Sequence, residues 1–89
     1  PVGRFANLKV NLVTYGVPSG RTLVLYTDGV TETESNSGEH FGMARLNALV
    51  KARHSASAAD LHHSIRVSLE DFMGECRQTD DSTLVVLKF

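Results

Sequence analysis

Hydrophobic and polar residues alternate near the start of the chain in a pattern typical of a strand. The alternation begins at Leu8 and predicts a half-buried strand that runs to about Tyr15. The turn residues Pro18–Gly20 separate it from a second apolar run, Thr22–Thr27. Together the two segments predict an antiparallel hairpin.

Two amphipathic segments in the middle of the chain predict helices at about Phe41–Arg53 and at Ala58–Met73. Ser57 stands at the N-cap position of the second helix, Asp60 completes a capping-box-like pattern, and Gly74 ends the helix. The apolar positions expected to face a sheet are Met43, Leu46, Leu49 and Val50 on the first helix and Leu61, Ile65, Leu69 and Phe72 on the second.

A last apolar run, Thr83–Leu87, predicts a third strand. Like Thr22–Thr27, it is apolar without alternation, which indicates burial on both faces. The polar segment Thr31–Gly38 predicts a surface loop. The order of elements is therefore β-β-α-α-β. The predicted fold class is α+β, an antiparallel sheet with two helices packed on one side.

Length and composition narrow the class of protein. With 89 residues the chain holds one domain at most, and 42% hydrophobic residues favour a folded chain. A formal net charge of −1 argues against a general nucleic-acid binder. No apolar run approaches the ~20 residues that span a bilayer. The chain begins at Pro1 without an initiator methionine or a signal-peptide pattern, so we expect it to be part of a longer protein.

Two acidic sites are the candidates for chemistry. Asp28 follows the second strand directly, and Asp80 and Asp81 stand just before the last strand. If these strands pair antiparallel, the carboxylates converge and could hold a hard cation such as Mg²⁺ or Mn²⁺. The competing interpretation is that these aspartates are ordinary turn and loop residues, and the spacing alone favours it.

The other reactive residue types form no recognisable site. The sequence contains no His-Glu-x-x-His pattern, and adjacent histidines on a helix point about 100° apart. The single cysteine, Cys76, allows no internal disulfide and is interpreted as incidental. We interpret the histidines as surface or boundary residues (His40, His54, His62 and His63) and the loop glutamates as a solvated surface (Glu32, Glu34 and Glu39).

Several segments resemble a known family. Leu25–Glu32 and Asp80–Leu87 look like the last two motifs of the SpoIIE-type phosphatases, bacterial members of the 2C-like metal-dependent protein serine/threonine phosphatases. Gly38–Leu46 is similar to the family's Gly-Glu-x-Phe-Gly-x-x-Arg-Leu stretch, and Pro1–Gly3 to the end of a Gly-x-Pro-φ-Gly segment. This ordered set covers essentially the whole chain and favours the metal-site interpretation of the two acidic sites.

The resemblance implies a site and a chemistry. Asp28 and Asp80 match metal-ligating aspartates of the family. Asp81 matches a supporting position beside them, and Gly29 is expected to allow a sharp exit from the strand. The implied cofactors are two Mn²⁺ or Mg²⁺ ions. The implied reaction is attack of a metal-activated water on a phosphoserine or phosphothreonine, with no catalytic residue in this chain beyond the metal ligands.

One motif of the family is absent from the chain. The early Asp-x-x-Gly-His-Gly-like motif, which supplies ligands to both metals, has no counterpart in residues 1–89. The hairpin also carries Gly20-Arg21-Thr22 where relatives often have Gly-Asp-Arg, which affects only a surface turn. We therefore expect residues 1–89 to be the C-terminal portion of a phosphatase domain, part of an α-β-β-α sandwich, and to be inactive alone.

The family also implies a biological setting. Its usual substrates are phosphorylated proteins similar to anti-anti-sigma factors, in the bacterial cytoplasm, within stress or sporulation signalling. A second hypothesis is a truncated or degenerate module that binds proteins without catalysis. Because two helices cannot cover a sheet that is apolar on both faces, we also expect the isolated chain to self-associate.

Overall fold

The computed structural model describes residues 10–74 and 83–89 of the chain. Within these residues the elements are β1 (Val10–Val17), β2 (Gly20–Thr27), α1 (Asp28–Thr31), α2 (Gly42–Ala52), α3 (Ala58–Met73) and β3 (Leu84–Lys88). The predicted α+β class and the order β-β-α-α-β are confirmed. The structure adds the one-turn helix α1, which begins directly after β2 in place of an immediate loop.

The strands form an antiparallel sheet in which β2 lies between β1 and β3. Pro18 and Ser19 make the two-residue turn of the predicted hairpin. In the middle of the sheet Leu25 is paired with Leu12 on one side and with Val85 on the other. Because β2 is paired along both of its edges, it is the fixed central strand from which Asp28 emerges.

Helices α2 and α3 pack on one face of this sheet. The predicted stripe of α3 is confirmed, and on α2 Leu46 and Val50 are buried while Leu49 packs partly against them. Met43 is the exception, because the residue is 44% exposed, although its sulfur accepts a hydrogen bond from the hydroxyl of the buried Tyr26. The core comprises Val13, Val24, Tyr26, Val30, Phe41, Leu46, Val50, Leu61, Ile65, Leu69 and Leu84.

The prediction of burial on both faces is wrong for β3, and β2 is fully buried on one face only, with Leu23 and Leu25 of its other face half-buried. Val85 and Leu87 of β3 are 43% and 41% exposed, and Leu12 of β1 is 56% exposed. These side chains lie on the face opposite to the helices, which we call the open face. An unbroken apolar run indicates that a strand avoids water, but it does not show what covers the strand.

The alternation of apolar and polar residues predicts β1 correctly, but the apolar residues of that alternation lie on the face of the sheet opposite to the helices. Val10 and Leu12 lie on the open face, whereas Val13 and Tyr15 contribute to the core side. The register explains this orientation, because Val13 lies opposite the buried Val24. Leu8, where the predicted strand begins, lies outside the described residues.

The predicted ends of α3 are confirmed. The hydroxyl oxygen of Ser57 accepts a hydrogen bond from the backbone N–H of Asp60 at 3.1 Å, which satisfies one of the free amides of the first turn. Gly74 follows the helix with φ of +59°, a region that favours glycine. Within the described residues, no helix combines the length and the apolar composition that a membrane span requires.

Candidate metal centre

Asp28 lies at the end of the central strand and begins α1. Its backbone carbonyl accepts a hydrogen bond from the N–H of Glu32 at 2.9 Å and one from the hydroxyl of Thr31 at 3.3 Å. The backbone therefore changes from extended to helical at Asp28 itself. This change fixes the half-buried residue at one end of the sheet.

Gly29 lies inside α1, and its backbone does not adopt a positive φ. Among the described residues the glycines with positive φ are Gly38, Gly42 and Gly74. The exit from β2 thus needs no conformation that is reserved for glycine, which differs from the role expected for Gly29. Its carbonyl oxygen accepts a hydrogen bond from the Thr33 hydroxyl at 2.9 Å, which ties α1 to the segment that follows.

The carboxylate of Asp28 accepts a hydrogen bond from a residue that the sequence analysis does not identify as a candidate. Nδ2 of Asn11 donates to Oδ1 of Asp28 at 2.7 Å and also to the carbonyl oxygen of Tyr26 at 3.4 Å. Asn11 is on β1, directly opposite Tyr26. One asparagine in an alternating segment gives no signal until the register of the hairpin is known.

Tyr26 is a buried phenol close to this carboxylate. The pKa of its hydroxyl is raised above the ordinary value, first by burial and second by the negative charge of Asp28. The hydroxyl donates to the sulfur of Met43 at the start of α2. The end of β2 therefore combines a carboxylate with a neutral phenol that responds to its charge.

The start of β3 lies beside the end of β2, as the antiparallel pairing predicted. The backbone N–H of Thr27 donates to the carbonyl of Thr83 at 3.1 Å, and the N–H of Thr83 donates to the Thr27 hydroxyl at 2.9 Å. Thr27 is the residue before Asp28. Asp80 and Asp81 stand three and two positions before Thr83 in the sequence, and both lie outside the described residues. Their convergence with Asp28 stays a prediction.

The Gly38–Leu46 motif forms a braced corner between the loop and α2. Gly38 and Gly42 have φ of +86° and +81°, which explains glycine at both positions. Nη1 of Arg45 donates to the carbonyls of His40 and Phe41 at 3.0 and 2.9 Å. Its guanidinium lies 4.6 Å from the centre of the Phe72 ring. The motif thus fixes the loop after α1 by backbone geometry and by one arginine.

The remaining candidates do not gather around Asp28. His40 lies 3.5 Å from Glu34, His54 stacks on Tyr15 with ring centres 4.9 Å apart, and Nε2 of His62 lies 3.2 Å from the carbonyl of Leu84. Among residues 10–74 and 83–89 no three His, Cys, Asp or Glu side chains form a group able to hold a metal ion. Cys76 lies outside the described residues.

Comparison with the sequence models of known families identifies the family of this chain. The sequence model of the family described as Stage II sporulation protein E (SpoIIE) matches residues 1–89. The chain belongs to the SpoIIE family. This family is associated with phosphatases of the 2C type, so the chain is a phosphatase-related domain. The family is also associated with sporulation and sigma-factor regulation. Neither the curated proteins nor the solved structures give a significant match to it.

Proposed function

We propose that this SpoIIE chain supplies part of the active site of a metal-dependent phosphatase that acts on phosphoserine or phosphothreonine in a regulatory protein. The observation that carries the proposal is the pairing of Thr27 with Thr83, which brings the start of β3 to Asp28. Asp80 and Asp81, with Asp28, would provide the carboxylates of this chain's share of the site, Asp81 in a supporting position.

The chemistry of Asp28 fits one ligand position of such a site. Carboxylate oxygens are the donors that Mg²⁺ and Mn²⁺ prefer. Oδ1 is held by Asn11, and no residue in the described ranges donates a hydrogen bond to Oδ2. Ions bound here would lower the pKa of a bound water and neutralise charge on the phosphoryl oxygens.

The chain's own residues would hold and orient this site. Asp28 is placed by the start of α1, Asn11 donates a hydrogen bond to its carboxylate, and the buried phenol of Tyr26 lies close to that carboxylate. A site for two Mn²⁺ or Mg²⁺ ions needs more ligands than these. We therefore propose that residues outside this chain complete it, and that residues 1–89 are the C-terminal portion of the domain.

The open face supports a sandwich architecture for that domain. Strands in a two-sheet sandwich pack their inner faces about 10 Å apart, and those faces are apolar. The open face carries large apolar side chains on all three strands, and its polar side chains lie toward the ends of β2 and on β1. We propose that a second sheet covers it in the complete domain. Its large apolar residues are Val10, Leu12, Leu23, Leu25, Val85 and Leu87.

The substrate proposal rests on the family. A phosphorylated protein similar to an anti-anti-sigma factor agrees with the sporulation and sigma-regulation context of the SpoIIE family. Such a substrate would place the reaction in the bacterial cytoplasm.

The test is Mn²⁺-dependent release of phosphate from a phosphoprotein by the full protein. Asp28→Asn and Asp80→Asn should each lower the rate roughly 100-fold or more, because each removes a charged ligand oxygen. Asp71→Asn, on an exposed position of α3, is the matched control and should leave the rate unchanged. Full activity of the first two variants would refute the site. No activity in the unsubstituted protein would favour the non-catalytic binding module.

A further inference from the structure

Asn11 is the polar residue on the face of β1 that packs toward the helices. On the same face of β1, Val13 is buried in the core and Tyr15 packs partly against it. A polar amide in such a position costs free energy unless its hydrogen bonds are made, and an apolar side chain would pack there without that cost. The position of Asn11 therefore calls for an explanation other than packing.

The two hydrogens of the Asn11 amide both have acceptors. One is directed to Oδ1 of Asp28 at 2.7 Å, and the other to the carbonyl of Tyr26 at 3.4 Å. The chemistry of the partners fixes which end of the amide faces the carboxylate. An ionised carboxylate only accepts hydrogen bonds, so the nitrogen, not the oxygen, must lie against it. A contact of 2.7 Å is in the range of charge-assisted bonds.

This arrangement restrains the orientation of the Asp28 carboxylate. Asn11 lies on β1, opposite Tyr26, and reaches across the end of the hairpin to the first residue of α1. Oδ1 accepts the amide hydrogen, whereas no residue in the described ranges donates to Oδ2, so Oδ2 is the more open oxygen for a cation. A ligand held in one orientation binds a metal more tightly than one that must first be ordered.

We infer that Asn11 is a positioning residue, one that orients the Asp28 carboxylate for a divalent cation. The inference rests on the proposed function, since it assumes that Asp28 is a ligand. A positioning role differs from a purely structural role in its effect on metal affinity. If Asn11 served only to join β1 to the end of β2, its replacement would affect stability and leave metal affinity unchanged.

The experiment measures the affinity of the full protein for Mn²⁺ by electron paramagnetic resonance and its stability by urea unfolding. Asn11→Leu keeps the approximate shape of the side chain and removes both donors. It should weaken Mn²⁺ binding about 10- to 100-fold, while activity recovers at saturating Mn²⁺. Asn11→Gln keeps the amide on a longer side chain and should recover part of the affinity. It also provides the test if Asn11→Leu fails to fold.

Two controls separate the possible failures. Val50→Ala truncates a core residue of α2 and should lower stability with unchanged Mn²⁺ affinity. Asp28→Asn should abolish binding at the site. If it does while both Asn11 variants bind as tightly as the unsubstituted protein, the positioning role is refuted and the proposed function stands. If Asp28→Asn leaves the affinity unchanged, the proposed function itself fails.

Discussion

Tyr26 and Asp28 are coupled at the scale of single residues. Tyr26 is 3% exposed, and burial and the nearby carboxylate both favour its neutral form. A raised pKa means that the folded protein holds the phenol proton more tightly than the unfolded chain. Tyr26 therefore stabilises the fold below about pH 10, and this contribution is lost as the pH rises through the pKa of the folded state.

Replacing Asp28 should change the titration of Tyr26. In Asp28→Asn the pKa of Tyr26 should fall toward its ordinary value, because one cause of the shift is removed while burial remains. The ultraviolet absorbance of the ionised phenol measures this in the 89-residue chain with Tyr15→Phe, in which Tyr26 is the single tyrosine. Asp71→Asn is the control. An identical Tyr26 titration in Asp28→Asn and the control would show that the two groups do not interact.

The sequence alone placed Asp28 correctly but could not reveal Asn11. Asp28 follows an apolar run, so its place at the end of a strand is a local property. The bond from Asn11 depends on the pairing of Asn11 with Tyr26, and pairing is set by the turn and by the packing of both strands. Contacts between residues distant in sequence are hidden from periodicity for this reason.

Among the secondary-structure elements, the backbone at the end of β3 lies very close to the backbone at the start of β2. The backbone N–H groups of Arg21 and Phe89 donate to each other's carbonyls at 3.2 and 2.9 Å. A Cβ atom on Gly20 would lie 2.6 Å from the backbone carbonyl oxygen of Phe89. This close approach, and not a positive φ, requires glycine at position 20.

Gly20→Ala should therefore destabilise the protein. The methyl group forces the two backbones apart, at a cost of about 1–3 kcal/mol in the free energy of unfolding. Gly16→Ala is the matched control on the same hairpin. Its Cβ would meet only Nε of Arg21, at 3.9 Å, so its stability should be equal or slightly higher. Urea unfolding of both variants measures the difference, and equal stabilities would contradict the close approach.

The hydrophobic periodicity predicts the helices and their buried faces, but it does not predict what packs on each face of the strands. The stripe and both ends of α3 depend on neighbouring residues, such as Ser57 and Gly74, which a sequence displays directly. The covering of a strand depends on other elements. Hence Thr22–Thr27 forms the predicted strand, but its second face, which carries Leu23 and Leu25, is only half-buried.

At the scale of the whole molecule, the open face dominates the behaviour expected in solution. Three strands present apolar side chains to water on this face, including Leu12 and Val85. Contiguous apolar patches of this kind promote association. The isolated 89-residue chain should therefore form dimers or larger species at micromolar concentration.

Light scattering tests this expectation with a charged variant. Leu12→Lys combined with Val85→Lys places two charges on the open face and should shift the chain toward monomer. Val67→Lys, at an exposed position of α3, changes the charge elsewhere and should leave association unchanged. A stable monomer of the unsubstituted chain at micromolar concentration would contradict the expectation.

Diffraction from crystals of the full protein grown with Mn²⁺ would show directly whether Asp28 and Asp80 bind metal at one site. Anomalous scattering locates manganese independently of the protein model. We expect manganese within about 2.0–2.3 Å of a carboxylate oxygen from each of the two aspartates. Manganese bound elsewhere, or carboxylates of Asp28 and Asp80 that lie apart with no ion on either, would contradict it.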